Sequence, residues 1–552
     1  MLKGGEYYLT EPLFIRPEDA GTAASPTVVE AAPGEDPVIS GGMQVKGWKK
    51  VQGNIPGLPA IAKGKIYETD APFISGRPLY FRQLWVNNNK AIRARDIADE
   101  DHMNRILSID KDRQEIWIPA GAGVQLPAGP GQMEMIIHQM WALAVLRIKE
   151  VERVGDRYRL RFWEPESHLE FEHPWPAPVV DSGHLQNGNS AYYLSNSLSL
   201  LDSPGEWYED IGTGKIYYWP RPGEDLKTSV VTVPALTQLV QIIGTADRPV
   251  NHIQWKGVRF AYSTWMRPSE AGHVPLQAGM YLLDAYKLKV PGTPDKKGLE
   301  NQAWIGRPPG AVEVAYADHV VFQGCRFEHI ASTGIDLIRG THSDTIDHCR
   351  FDDIGGTGIQ MGVYSDEAFE THLPYDPADQ REVVHDEWIT NNLVTDCANE
   401  DWGCVGISAG YVRGVNIVHN EVSEVSYSGI CVGWGWTRTV NCMRDNHIIG
   451  NYVHHYAKHM YDVGGIYTLS AQPGTMITEN RIDSIYHPGY VHDPKHWFYF
   501  YFDEGSSYIT IRNNWCPGEK FMRNANGPGN TWENNGPFVD GKIKLSAGIK
   551  KQ

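Results

Sequence analysis

A short phrase recurs through the second half of the chain, and it limits the fold more than any other feature. Cys325-Arg326-Phe327-Glu328-His329-Ile330 followed by Thr333-Gly334-Ile335 returns 24 residues later as Cys349-Arg350-Phe351-Asp352-Asp353-Ile354 followed by Thr357-Gly358-Ile359. Further copies open at Asn392, Asn420, Asn451 and Asn480, spaced by 28, 31 and 29 residues. A repeat of this length is one coil of a solenoid, which buries its apolar face only against its neighbours. The apolar residues are mostly β-branched or aromatic, and the Leu-x-x-Leu-x-Leu spacing of leucine-rich repeats is missing. Each copy therefore reads as a rung of a right-handed parallel β-helix, with strands stacked at about 4.8 Å. Ile and Val point inward, and the Asn or Cys recurs at one turn because identical stacked side chains can bond or pack along the axis.

The expected class is all-β, with an antiparallel β-sandwich inserted into the helix. Residues 1–70 carry short strands broken by Gly and Pro, such as Leu13-Phe14-Ile15 and Pro37-Val38-Ile39-Ser40, and read as the first helical turns. Residues 71–235 change to longer alternating strands, such as Met133 to His138 and Tyr158 to Phe162, and read as the sandwich. Its closing segment, Pro204 to Pro220, reads as a hairpin around Gly212-Thr213-Gly214. Residues 236–552 resume the helix. Two longer excursions, Tyr364 to Trp388 and Tyr486 to Trp497, are rich in His, Pro, Asp and Tyr, as loops that build a binding face are.

Composition narrows the partners. With 41% hydrophobic and 21% charged residues in 552, the chain has ample core for a globular protein of about two domains. A formal net charge of −17 argues against nucleic acid and, more weakly, against polyanionic glycans such as pectin or alginate. No run of 18 apolar residues is present, so no membrane partner is expected. The opening Met1-Leu2-Lys3-Gly4-Gly5-Glu6-Tyr7-Tyr8 lacks the apolar stretch of a signal peptide, which suits a cytoplasmic protein or a secreted one whose leader has been removed. Seven cysteines, all from Cys325 onward and mostly at rung positions, read as buried thiols. Oligomeric state is not legible.

Aligning the Gly-Ile steps stacks Asp336, Gln360, Ser408, Cys431 and Tyr467 in one outward column, so this sheet is expected to face solvent. Tyr364, Tyr411, Trp434 and Trp436 follow at one edge, where aromatic faces at a groove lip would suit sugar rings. Two acidic segments are sharper. In His459-Met460-Tyr461-Asp462-Val463-Gly464-Gly465 an Asp stands beside glycines that leave room for a ligand. In Tyr499-Phe500-Tyr501-Phe502-Asp503-Glu504-Gly505 an aromatic strand ends on two carboxylates, residues that disfavour strands unless function requires them. Glycoside hydrolysis needs two carboxyl groups: one protonates the leaving oxygen, and the other attacks the anomeric carbon or activates water. Desolvation and Glu504 should both raise Asp503, as a general acid requires, whereas Asp462, near His459, should stay ionised. If Ile466 to Leu469 stacks on Tyr499 to Phe502, the two aspartates begin too far apart for a glycosidase pair. A bend before Gly464-Gly465 or a different stacking register must then bring them together, or Glu504, Asp401 or Glu400 serves instead.

The stretch Asp462 to Leu469, with Gln472-Pro473-Gly474-Thr475 and Asp503-Glu504-Gly505-Ser506-Ser507, resembles the active-site region of glycoside hydrolase family 141. The Pro37 to Gly42 phrase and the Pro204 to Pro220 hairpin are similar too, so the likeness covers most of the chain; Val463 stands where the family's run has glycine. β-Helical family 120 β-xylosidases are a looser match. The resemblance implies a β-helix with an inserted sandwich, α-L-fucosidase or xylanase-type activity on plant or algal glycans, and Asp462 and Asp503 as the catalytic pair. The residues expected to hold an oligo- or polysaccharide are Glu504, Tyr467, Tyr501, Gln472, Trp434 and Trp436. With them stand Trp402, Asp401, His454, His455 and His459.

No cofactor is expected, since no P-loop, dinucleotide fingerprint or EF-hand loop is present. His455, His459 and Asp462 have metal-ligand spacing only on a helix, which a strand solenoid makes irrelevant; His487, His492 and His496 cluster in the second excursion. Two rival classes remain. A β-helical polysaccharide lyase would need a basic residue beside a uronate and usually a Ca²⁺ site, and a non-catalytic carbohydrate-binding solenoid would need no positioned acids.

Overall fold

The computed structural model describes residues 1–121, 126–127, 129–173, 175–180, 188–284, 304–365, 374–523 and 527–550. Three parallel sheets of nine, ten and ten strands run its length, and each rung contributes one short strand to each. Leu393–Thr395, Glu421–Ser423, Tyr452–His454 and Arg481–Asp483 follow one another in the first sheet. Ile407–Ala409, Ile430–Val432, Val463–Thr468 and Trp497–Phe502 do so in the second, and Asn416–Val418, His447–Ile449 and Met476–Thr478 in the third. The fold is a parallel β-helix, as the repeat predicts.

Two residues turn the chain from the third sheet into the first. The leading one is left-handed: Asn391, His419, Glu479 and Asn513 have φ of 54°, 57°, 59° and 57°, at a cost of roughly 1 kcal/mol for each non-glycine residue. The repeating asparagine comes next and offsets that cost. Asn451 Oδ1 accepts from the Asn420 backbone N–H at 2.9 Å and from Asn420 Nδ2 at 3.0 Å. Asn451 Nδ2 donates to Asn480 Oδ1 at 3.0 Å and to the Ile417 carbonyl at 2.8 Å. The same bonds join Asn392 to Asn420 and Asn480 to Asn514, and continue to Asn535. Cys325 and Cys349 hold this turn in earlier rungs, and all seven cysteines are buried and unpaired.

Inside the helix, Ile335, Ile359, Ile407, Ile430 and Ile466 lie in register and end on Phe500, all without solvent exposure. Phe260, Phe327 and Phe351 stack beside them at ring separations of 5.0 and 4.5 Å. The outward column of the second sheet is buried as well, contrary to the expectation of a solvent-facing sheet. It is covered and bonded within itself: Arg307 pairs with Asp336, Gln360 donates to Asp336 at 3.0 Å along the column, and Tyr364 donates to Ser408 at 2.8 Å.

The insertion leaves after strand Pro37–Ser40 of the first sheet and returns at Val240–Ile243 of the second. Gly42–Val45 pairs antiparallel with Val231–Pro234 and closes its neck. Residues 42–70, grouped on sequence with the first helical turns, instead place Gly42–Val45, Lys49–Lys50 and Tyr67–Asp70 in sheets of the insertion. Short strands punctuated by Gly and Pro read alike in both settings; only their partners differ. Four- and five-stranded sheets sandwich Phe81, Leu84, Trp207, Ile216 and Val233. A seven-stranded sheet, which includes Glu134–Gln139 and Ala142–Val154, continues toward the helix. At the junction, Lys90 Nζ lies 2.7 Å from Asp353 and 3.2 Å from Glu400, and Trp85 Nε1 donates to Asp353 at 2.8 Å.

An excursion without sequence warning lies between Ser263 and Gly310. It carries the strands Pro275–Gln277, Met280–Asp284 and Trp304–Gly306 in one antiparallel sheet. Of the excursion from Tyr364 to Trp388, residues 366–373 lie outside the described residues.

Asn451→Leu keeps the branched shape but takes the Asn451 side-chain partner from the Asn420 donors and from the Ile417 carbonyl in a dry core. Its expected cost is about 3 kcal/mol or more, read as a lower denaturant midpoint in equilibrium unfolding. An unchanged midpoint would show that the ladder contributes nothing to stability.

Candidate active site

Val463–Thr468 and Trp497–Phe502 are neighbours in the second sheet, with Tyr467 opposite Tyr501. Asp462 precedes the first strand and Asp503 follows the second, so their backbones stand at opposite ends of the paired segment. Two tyrosines close the gap from the side. Tyr501 donates to Asp462 Oδ1 at 2.7 Å, and Tyr467 donates to Asp503 Oδ2 at 2.6 Å, so each strand's tyrosine reaches the carboxylate of the other. Their rings meet edge to face at 5.0 Å.

Asp462 turns into its strand with a left-handed φ of 58°. Its N–H donates to the His496 carbonyl at 2.7 Å, and its own carbonyl accepts from the buried Tyr427 hydroxyl at 2.9 Å. His496 Nε2 lies 3.0 Å from the same Oδ1 that Tyr501 holds, which leaves Oδ2 as the outward oxygen. The bond to Asp462 lifts His496 above the ordinary imidazole value despite its burial. Gly464 and Gly465 make room for protein, not for ligand: a Cβ would lie 2.8 Å from that of Tyr501 and 2.4 Å from Ile482. Val463 is buried opposite Trp497.

Asp503 is the other half of the contrast. Burial pushes its carboxyl up to about 6, with the charges of Asp462 and Glu504 adding to the rise and the Tyr467 hydroxyl opposing it. Glu504 itself is exposed at the rim. Tyr467 also accepts from Gln277 Nε2, at 3.1 Å, a residue of the unforeseen excursion. Asp462, Asp503, Tyr467 and Tyr501 are therefore brought together, and Tyr427, Gln277 and His496 join them. His496 was visible only as one histidine of a cluster, while Gln277 lies outside every repeat and carries no sequence signal.

Other expected sugar contacts stand elsewhere. Gln472 is fully buried, its Nε2 on the carbonyls of Val432 and Leu469 at 2.9 Å, so it braces a turn. Trp434 is buried against Tyr364 and Trp436 at ring distances of 5.2 and 4.9 Å, and Tyr364 and Tyr411 are buried too; of that set Trp436 alone is partly open. These aromatics pack the flank of the helix and form no groove lip. His454 and His455 lie on and just past the first sheet, bonded to each other at 2.7 Å, with His454 beside Glu421 and His455 against Tyr486.

His459 is not the partner of Asp462. It stacks on Trp402 at 4.3 Å, bonds Ser426 at 2.9 Å, and burial pushes it down to about 3. Trp402 and His459 line a cavity of about 270 Å³ with Arg82, Arg93, Glu134 and Tyr193, where the insertion meets the helix. Burial would raise Asp401, but His273 beside it at 3.2 Å, with the Cys404 thiol and the Gly403 N–H, holds it below the usual carboxylate value. Asp401 thus anchors the 264–306 excursion, and Glu400 is held by Lys90 and Gln83. Among the described residues, no group of three or more His, Cys, Asp or Glu is arranged to hold a metal ion, and no helix is long and apolar enough to cross a membrane.

A solved structure described as a glycoside hydrolase is 52% identical to this chain, covers 99% of it and 90% of its own length, and superposes with a TM-score of 0.93. The protein is thus an enzyme acting on glycosidic bonds, with carbohydrate as its substrate. Residues 64–221 match the family model of the GH141 insertion domain, and the chain belongs to glycoside hydrolase family 141. A structure of XylC with xylose aligns at 11% identity and a TM-score of 0.46, over 94% of this chain and 63% of that one. No curated protein matches the chain.

Because Asp503 is raised when folded, its stabilising contribution is present below the unfolded carboxylate value near 4 and is lost as pH rises through about 6. Asp503→Asn, uncharged throughout, is expected to gain up to roughly 2 kcal/mol relative to wild type at pH 8 that it does not gain at pH 4. Urea unfolding at the two pH values measures this, and an equal change at both would show that the carboxyl is not raised.

Proposed function

We propose that this glycoside hydrolase cleaves O-glycosidic bonds of plant or algal glycans, with α-L-fucosides or β-xylosides and xylan as its substrates, through Asp462 and Asp503. The observation that carries the reading is the pair of crossed tyrosines, each of which bonds the aspartate of the neighbouring strand on one sheet face. Asp503, half-buried and raised, serves as the general acid that protonates the leaving oxygen. Asp462, with Oδ1 held by Tyr501 and His496, presents Oδ2 as nucleophile or as base toward water. Tyr427 and the left-handed turn set its backbone, so the outward oxygen is aimed before substrate arrives. Glu504, exposed and next to Asp503 in the chain, is placed to meet a sugar hydroxyl.

In a panel of nitrophenyl glycosides and xylan oligosaccharides, wild type is expected to release product from an α-L-fucoside or a β-xyloside. Asp462→Asn and Asp503→Asn should each lose about a thousandfold or more. Activity that survives both substitutions would discard this site, and binding without turnover by wild type would discard the substrates named. A second readout separates the roles. The wild-type kcat/KM should fall above pH about 6 as Asp503 loses its proton, and the residual activity of Asp503→Asn should lack that alkaline limb. If Asp462→Asn is the variant that loses it, the roles are reversed.

A further inference from the structure

The hydrogen bond from Gln277 to Tyr467 links the catalytic face to the insertion. Gln277 ends the strand Pro275–Gln277, and Ala278 and Gly279, with φ of 49° and 84°, turn it into Met280–Asp284. Two left-handed residues in a row are the tight hairpin loop that glycine favours. Gly279 is seated so closely on the helix that a Cβ there would lie 2.5 Å from Cys404 Sγ. The strand leading into Gln277 is clamped by the insertion: His273 and Val145 exchange backbone hydrogen bonds of 2.8 Å, and Trp141 Nε1 donates to the Leu276 carbonyl at 2.7 Å. His273 also lies 3.2 Å from Asp401 of the helix. Gln277 is buried, and these fixings leave its carboxamide little freedom.

A tyrosine hydroxyl has one proton to give. With Gln277 Nε2 donating to Tyr467 at 3.1 Å, that proton goes to Asp503 Oδ2, 2.6 Å away. The carbonyl oxygen of a protonated carboxyl is the stronger acceptor, so a bond accepted at Oδ2 favours the acid's own proton on Oδ1. We infer that Gln277 is a positioning residue: its carboxamide dictates the direction in which Tyr467 donates, and thereby keeps the transferable proton of Asp503 on Oδ1. Without Gln277 the Tyr467 hydroxyl is free to turn and accept from a protonated Oδ2, which draws the proton into the protein and away from the leaving group. The insertion, through the hairpin it clamps, thus helps to aim the acid. This inference rests on Asp503 being the general acid.

Leaving-group dependence is the test, because a departing dinitrophenolate needs no proton and a departing phenolate does. Phenyl and 2,4-dinitrophenyl glycosides of whichever sugar the wild type cleaves are compared in wild type, Gln277→Met, Gln277→Glu and Asp503→Asn. Gln277→Met, similar in volume, is expected to lower kcat/KM for the phenyl glycoside about tenfold, while the dinitrophenyl value stays within about twofold. Gln277→Glu keeps shape and polarity but accepts the Tyr467 proton, so its phenyl loss should be larger than that of Gln277→Met. A merely structural role would spare the isosteric Gln277→Glu, or would lower both substrates together in both variants, and either result overturns the inference. Asp503→Asn keeps the two levels of argument apart. If it shows leaving-group dependence and the Gln277 variants do not, only the role of Gln277 falls; if it shows none, the assignment of the acid falls, and the inference with it.

Discussion

The asparagine ladder is the interaction on which the rest of the molecule depends. A parallel β-helix must turn its chain sharply at every rung, and each sharp turn leaves polar backbone groups facing a dry interior. Here one side chain per rung meets that demand. Asn392, Asn420, Asn451, Asn480 and Asn514 each bond the next along the axis, and each also takes a backbone carbonyl of the third sheet. Because every carboxamide spans two rungs, the ladder sets both the shape of the turn and the register between coils. The isoleucine column and the pairing of Tyr467 with Tyr501 follow from that register.

On this frame, the proposed catalytic geometry is built across strands. The backbones of Asp462 and Asp503 are at opposite ends of neighbouring strands, and an extended pair of strands cannot bring such ends together. Long tyrosine side chains lying along the sheet face can, and two that cross do so from both sides. The surroundings of the two carboxylates differ. Asp503 sits where burial dominates and its proton is retained to higher pH, whereas Asp462 has two donors on one oxygen. The insertion bears on this site through the Val145, Trp141 and His273 contacts of the 264–306 excursion, which deliver Gln277 to Tyr467.

Much of this was legible in the chain as written. The spacing of Cys325, Cys349 and the asparagines specifies a stacked-strand solenoid, since few other structures repeat a polar residue between β-branched runs at that period. The two acids announce themselves because Asp462 stands next to glycines and Asp503 ends a run of aromatics. What misled was the meaning of neighbouring residues. Gly464 and Gly465 read as space for a ligand, yet Tyr501 and Ile482 occupy that space. Trp434, Tyr364 and Tyr411 read as a groove lip, yet they are buried, because an aromatic after a strand has the same sequence signature whether a loop covers it or not. Gln472 and His459 sit within the motif but serve turns and a stack.

The sequence by itself determined the solenoid, the presence of an insertion that interrupts it, and the two acidic segments on its second sheet, whereas the break itself, after Ser40, was set by strand partners. The first three are local in the chain: a repeat, a change of pattern and two short acidic segments, each written within a few residues. Tertiary structure alone decided which side chains surround the carboxylates. His496, Tyr427 and Gln277 arrive from a loop, an earlier rung and an excursion outside the repeat. No periodicity encodes such meetings, because they depend on where long irregular segments fold back over a sheet face, and that is set by packing between distant parts of the chain.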